Sequence, residues 1–260
     1  TPNPCIACNR YVKWEALLHR ATEIGADYIA TGHYANIVKH PVTGRFTIKT
    51  AENKDQSYAL YNLTQYQLSR TLMPDGAYTK SEIRKIAEKI GLNVANKPDS
   101  QDICFVPDGD YGTFIRENTD VEIPEGDFVD CKGNILGRHK GITNYTIGQR
   151  KGLGIALGVP AYVTSIDIDS NRVVIGSNED LFKTNVVVKN YNPMGLGEIT
   201  EEVRCYGKLR YNQKKAPCII RPKGEYIEAV FDEPQRAVTP GQAAVFYDDE
   251  YVVGGGVIVG

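Results

Sequence analysis

The stretch from Arg10 to Tyr34 restricts the fold more than any other part of the chain. Apolar residues at Val12, Leu17, Leu18, Ala21 and Ile24 recur at helical spacing, and Gly25 closes the run. Asp27-Tyr28-Ile29-Ala30-Thr31 then reads as a buried strand ending in Gly32-His33-Tyr34. Helix, short glycine turn and strand make half of an α/β unit. Ligands of such sheets gather beyond the carboxyl ends of strands, where Gly32 and His33 fall.

Directly before this unit stands Thr1-Pro2-Asn3-Pro4-Cys5-Ile6-Ala7-Cys8-Asn9, with two thiols three residues apart. The prolines stiffen the approach to Cys5. Asn9 is a good N-cap, which would set Cys8 beside a helix N-terminus and favour its thiolate. A CxxC pair serves zinc sites, redox centres and iron–sulfur ligation alike. A structural zinc site usually takes four Cys/His ligands, and the sequence has one close pair and no HxxxH. The other cysteines are Cys104, Cys131, Cys205 and Cys218, too sparse for a disulfide scaffold. Cys104, between Ile103 and Phe105, reads on its neighbours as inert core.

Farther on, Ala35–Val38 and Arg45–Thr50 form an expected hairpin around Pro41–Gly44, and Thr79-Lys80-Ser81-Glu82 is a capping box opening a helix that stops at Gly91. A second expected hairpin pairs Ala161–Asp167 with Arg172–Gly176, and from about Lys183 short strands and turns suggest a small β-barrel. At 260 residues two or three domains are expected. No apolar run approaches the roughly 20 residues of a membrane helix, and with no export signal the expected location is cytoplasmic. A net charge of −2 argues against a uniformly basic nucleic-acid binder. Yet Arg204, Lys208, Arg210, Lys214, Lys215, Arg221 and Lys223 form a stripe from Val203 to Lys223 without one acid. Such a stripe is either a solvated strand face or a phosphate-binding surface.

Several motifs occur together and in order: Thr1–Asn9, Ala30–Tyr34, Lys54-Asp55-Gln56-Ser57-Tyr58, Asp99–Phe105, Ile147–Gly154, Arg210-Tyr211 and Thr239-Pro240-Gly241-Gln242. In this the chain resembles the bacterial tRNA-specific 2-thiouridylases over essentially its whole length. The resemblance implies an α/β-plus-β fold. Residues 1–106 would be the C-terminal part of a Rossmann-like ATP-pyrophosphatase-type domain, 107–182 a small central domain contacting tRNA, and 183–260 a C-terminal β-barrel. It also implies ATP-dependent replacement of the wobble uridine C2 oxygen by sulfur, delivered from a cysteine persulfide.

Carried over residue by residue, the resemblance makes Cys8 the nucleophile that ends in a disulfide and Cys104 the persulfide carrier. Asn3, Pro4 and Cys5 match positions contacting the target base, and Gly32 an ATP-contacting backbone. His33, Lys54, Asp55, Gln56, Arg210, Tyr211 and Gln242 match tRNA-contacting positions; the plainer role for His33 is to orient a turn. The partners implied are tRNA and a persulfide donor, a cysteine desulfurase or relay protein, with a monomer expected. The cofactor implied is ATP with Mg2+, and its site would be incomplete, because the family's Ser-Gly-Gly-Val-Asp-Ser-Ser phosphate loop does not occur in these residues. A fragment inactive alone is therefore expected. Cys5 stands where many members carry Asp, which opens a second route in which Cys5, Cys8 and Cys104 ligate an iron–sulfur cluster. A non-catalytic tRNA-binding module is the alternative of a different class, and a zinc-stabilised structural domain a third.

Overall fold

In the computed structural model, which describes residues 3–52, 54–95, 103, 104, 106 and 109–259, the chain begins in a helix. Asn3, not Asn9, caps it: the Asn3 Oδ1 accepts the Cys5 N–H at 3.0 Å, and Pro4 takes the first helical position, where a missing N–H costs nothing. Helix α1 (Pro4–Ala7) runs into a π-wound stretch (Cys8–Leu17) and then α2 (Leu18–Glu23). The expected cap at Asn9 is thus corrected, and Cys8 lies a turn inside the helix. Asn9 is buried, its side-chain amide donating to the Ala59 carbonyl at 3.0 Å. The expected apolar stripe is also only partly right. Leu18 and Ala21 are buried with Trp14, while Val12, Leu17 and Ile24 are more than half exposed. A π-wound segment turns through more residues than an α-helix, so a 3.6-residue stripe read across it points the wrong way.

Strand β1 (Ile29–Ala30) is shorter than expected and pairs in parallel with β4 (Thr71–Leu72), as an α/β unit requires. The expected hairpin forms as β2 (Asn36–Lys39) and β3 (Phe46–Lys49). A short helix, α3 (Gln65–Ser69), is closed by a Thr64/Gln67 capping box, and α4 (Lys80–Lys89) by the Thr79/Glu82 box read from the sequence. The start of the opening loop at Thr1-Pro2, and Asp99–Asp102 and Phe105 of the fourth motif, lie outside the described residues.

Strands β9 (Phe182–Pro193), β10 (Val203–Lys208), β11 (Ala216–Lys223), β12 (Tyr226–Arg236), β13 (Ala243–Asp248) and β14 (Tyr251–Ile258) close a six-stranded barrel. Its order is β13-β10-β11-β12-β9-β14, and β13–β14 pairing joins the two ends. Full closure leaves such a sheet without free edges inside the ring. The β2–β3 hairpin adds to it through Lys49 opposite Tyr251. Gly255 of β14 permits the close approach of Tyr61, since a Cβ would meet the Tyr61 ring at 2.7 Å. Trp14, Leu18, Ile48, Tyr58 and Leu68 share one core with Met194, Val245, Tyr247 and Val252 of the barrel side.

The chain forms two compact units, and this helix, hairpin and barrel belong to the larger one (Pro2–Asp99, Asn185–Glu233, Pro240–Gly260). The other holds Ser100–Thr184 and Pro234–Thr239. It contains α5 (Tyr111–Glu117) and a sheet of β5 (Gly126–Val129), β6 (Ile135–His139), β7 (Tyr162–Asp167) and β8 (Arg172–Gly176) in the order β6-β5-β8-β7. The expected β7–β8 hairpin is present, and Asn171 turns it in a left-handed conformation (φ 50°). Phe128, Tyr145, Val163, Val173 and Ile175 fill its core.

Candidate active site

Cys5 is exposed and Cys8 half-buried. What holds them is the face of their helix opposite the solvent, where Asn9 is tied to Ala59 of the buried turn Ser57–Leu60. That turn is the direct continuation of Lys54-Asp55-Gln56. Asp55 shapes the loop internally: Oδ1 accepts the Ser57 and Ala51 N–H groups at 3.1 and 3.3 Å, and Oδ2 accepts the Ser57 hydroxyl at 2.7 Å. Gln56 is a clamp. Its side-chain oxygen accepts the Tyr34 N–H at 2.8 Å and its own N–H donates to the Tyr34 carbonyl at 2.9 Å. Of the triplet, Lys54 is the exposed member, in a left-handed conformation (φ 53°).

The barrel brings Arg210-Tyr211 to the same place. The Tyr211 hydroxyl donates to the Asp55 carbonyl at 3.4 Å, and its ring meets Tyr58 edge-on at 6.0 Å. Burial raises the Tyr211 pKa, with the negative fields of Asp55 and Cys5 adding to it. Tyr211 thus lies within electrostatic reach of the Cys5 thiol. The Lys208 ammonium sits over both rings, 5.7 Å from Tyr58 and 5.6 Å from Tyr211, and burial holds its pKa below the ordinary lysine value. Gln242 precedes Ala243, whose carbonyl accepts the Tyr58 hydroxyl at 2.8 Å. Segments near residues 5, 55, 211 and 242 therefore converge, and Lys208 and Tyr58 join them. Lys208 was legible only as one cation in a stripe.

Three of the seven cations of the stripe are paired with acids. Arg204 pairs with Asp232, Arg221 bridges Glu202 at 3.0 Å and Glu228 at 2.8 Å, and Lys223 meets Glu228 at 2.6 Å. The acids come from adjacent barrel strands and a loop, invisible in a linear charge count. The cations near the thiol helix are Lys208 and Arg210 at its other end.

His33 is held by protein on both sides. The Lys13 ammonium lies 3.3 Å from Nε2, so Nε2 accepts and Nδ1 carries the proton to the Thr31 hydroxyl at 2.9 Å. Burial, and then Lys13, lower its pKa to about 4, so it is a neutral ring packed 5.5 Å from Trp14. Gly32 is exposed beyond the carboxyl end of β1, and a Cβ there would crowd the Asp75 carboxylate at 3.0 Å.

Cys104 lies in a turn of the smaller unit and is exposed, so the inert-core reading is overturned. Cys205 and Cys218 face each other across β10–β11 with sulfurs 3.7 Å apart, both buried, and their contact and burial push the Cys205 thiol far up. Among the described residues no three His, Cys, Asp or Glu side chains gather as a metal site requires. No helix among them is long and apolar enough to cross a membrane.

Three family descriptions match the chain: "tRNA methyl transferase HUP domain" over residues 1–108, "tRNA methyl transferase PRC-barrel domain" over 112–177, and "Aminomethyltransferase beta-barrel domain" over 183–258. Among proteins similar to it, the tRNA-specific 2-thiouridylase MnmA of Lachnoclostridium phytofermentans is 60% identical over 100% of this chain and 73% of that protein. Those of Acetivibrio thermocellus and Clostridioides difficile are 54% and 52% identical over 99% of this chain, and 73% and 72% of their own lengths.

Proposed function

We propose, from the premise that this chain belongs to the tRNA-specific 2-thiouridylase family, that Cys8 and Cys104 carry sulfur to the wobble uridine of tRNA. The observation that supports this most is the convergence of Cys5 and Cys8, the Lys54–Gln56 loop, and Arg210-Tyr211 from three distant stretches of sequence. A methyl-transfer reading, suggested by the words of two family descriptions, gives the two exposed or half-exposed thiols nothing to do. Sulfur transfer uses both.

In this reading Cys104 holds a persulfide received from a sulfur donor, and its exposure suits delivery by another protein. The terminal sulfur bonds to C2 of the uridine as the C2–O bond breaks. The Cys8 thiolate then attacks the inner sulfur, the S–S bond of the persulfide breaks, and a Cys8–Cys104 disulfide remains. The sulfane sulfur is reduced and the two thiols are oxidised, so electrons balance. ATP, when bound at the HUP domain, supplies activation of the C2 oxygen, and Gly32 offers it a backbone contact. Asn3, Pro4 and Cys5 border the base, which must leave the anticodon stack to be reached. Tyr211, backed by the buried Tyr58 and beside the Lys208 ammonium, offers that base and its backbone an exposed ring and a cation. Domain limits at 1–106, 107–182 and 183–260, a cytoplasmic location and a monomeric state complete the proposal.

Cys8→Ser and Cys104→Ser, each made in the full-length gene product, are expected to abolish thiolation while tRNA binding stays at the wild-type level. Thiouridine formed by either variant would overturn the assignment. Iron and acid-labile sulfide assayed on anaerobically purified protein separate this route from a cluster on Cys5, Cys8 and Cys104: an iron-free active enzyme supports the persulfide.

A further inference from the structure

A cavity of about 540 Å³ opens beside the Lys54–Gln56 loop, lined by Lys54, Lys80, Ser81, Arg84, Lys85 and Glu88. Four cations and one carboxylate thus face it among the described residues. Lys80, Arg84 and Glu88 follow one another at four-residue spacing on α4, so they share a face of that helix. Lys54 comes from the loop across the cavity, held left-handed just before the residues that Asp55 and Gln56 pin. Burial, and then the neighbouring Lys54 and Arg84, hold the Lys80 pKa below its ordinary value, so the like charges are crowded. Glu82, the acid in the first turn of α4, is committed to its cap, accepting the Thr79 N–H at 2.7 Å and hydroxyl at 2.8 Å. It does not offset the cluster from within. A cavity lined mostly by cations attracts anions.

We propose that this cavity is a phosphate subsite, taking an RNA backbone phosphate beside the target nucleotide, with Lys54, Lys80 and Arg84 as its ligands. The inference rests on the tRNA reading above and extends it to α4, a helix to which no RNA role was given from sequence. RNA is favoured over a free nucleotide because Lys54 begins the loop whose next residue receives the Tyr211 hydroxyl near Cys5. A base turned out of its stack needs its flanking phosphates held.

The test is binding of an anticodon stem-loop across a salt series by wild type, Lys80→Gln, Arg84→Gln and, as a control on the same helix outside the cavity, Lys89→Gln. Glutamine keeps helix propensity, and circular dichroism melts check the fold. Losing one phosphate contact should lower the slope of log K against log salt by about 0.7–0.9. That drop is expected in Lys80→Gln and Arg84→Gln and absent in Lys89→Gln. Equal slopes in all four proteins, or an equal drop in all three variants, would overturn the subsite while leaving the tRNA reading standing. Wild type that binds no stem-loop would overturn both. Equilibrium dialysis with ATP separates the sources: variants that lose ATP but keep the RNA slope make the cavity a nucleotide site and defeat the proposal.

Discussion

His33 shows how a residue can stand at a functional position and still act through its neighbours. Its two ring nitrogens are occupied by Thr31 and Lys13, and its pKa of about 4 keeps it neutral where a phosphate would want a cation. The fold therefore disfavours a proton that the unfolded chain, with the ordinary value of 6.5, accepts. Between those two values the unfolded state binds more protons, so stability rises with pH through the window and is lost as pH falls from about 6.5 to 4. The contribution is on the order of 3 kcal/mol. Urea unfolding at several pH values should show that slope, and His33→Gln should flatten it. A variant with an undiminished slope would mean that other groups carry the dependence. The same scale explains the cap: Asn3 and Asn9 both suit it, and the choice was made by burial, since Asn9 is needed by Ala59.

At the scale of elements, buried hydrogen bonds pin the first helix, and one of them runs through Trp14. The Trp14 indole N–H donates to the Thr71 hydroxyl at 2.8 Å, and that hydroxyl donates to the Gln67 carbonyl at 2.7 Å, linking the thiol helix to β4 and α3. Both partners are buried. Thr71→Val keeps the shape and leaves the indole N–H without an acceptor, at a cost of about 1–3 kcal/mol. Fluorescence of Trp14, the single tryptophan, makes this measurable: the urea midpoint should fall with the slope unchanged, and an unmoved midpoint would contradict it. Elements with local signatures were readable in advance. The Thr79/Glu82 cap, the β2–β3 and β7–β8 hairpins and the β-rich end all lie where turn chemistry and period placed them. The face of the first helix was not, because π winding breaks the period on which the reading depends.

At the scale of the whole molecule, a net charge of −2 conceals an uneven surface. Barrel carboxylates Asp232, Glu202 and Glu228 cancel one end of the basic stripe, while Lys208 stays over the Tyr58 and Tyr211 rings beside the thiol helix. Strand pairing decides which cations are cancelled, and a linear charge count does not show it. The ordered motifs, by contrast, carried the family, the barrel and the convergent loops, because each fixes a local backbone that three-dimensional packing then gathers. The central claim is that sulfur leaves a Cys104 persulfide and that Cys8 closes the cycle. Peptide mass spectrometry after a single turnover with a persulfide donor, ATP and tRNA tests it most directly. One Cys8–Cys104 disulfide per thiouridine, with Cys5 still a thiol, is the predicted result; thiouridine formed while Cys8 and Cys104 both remain thiols would contradict it.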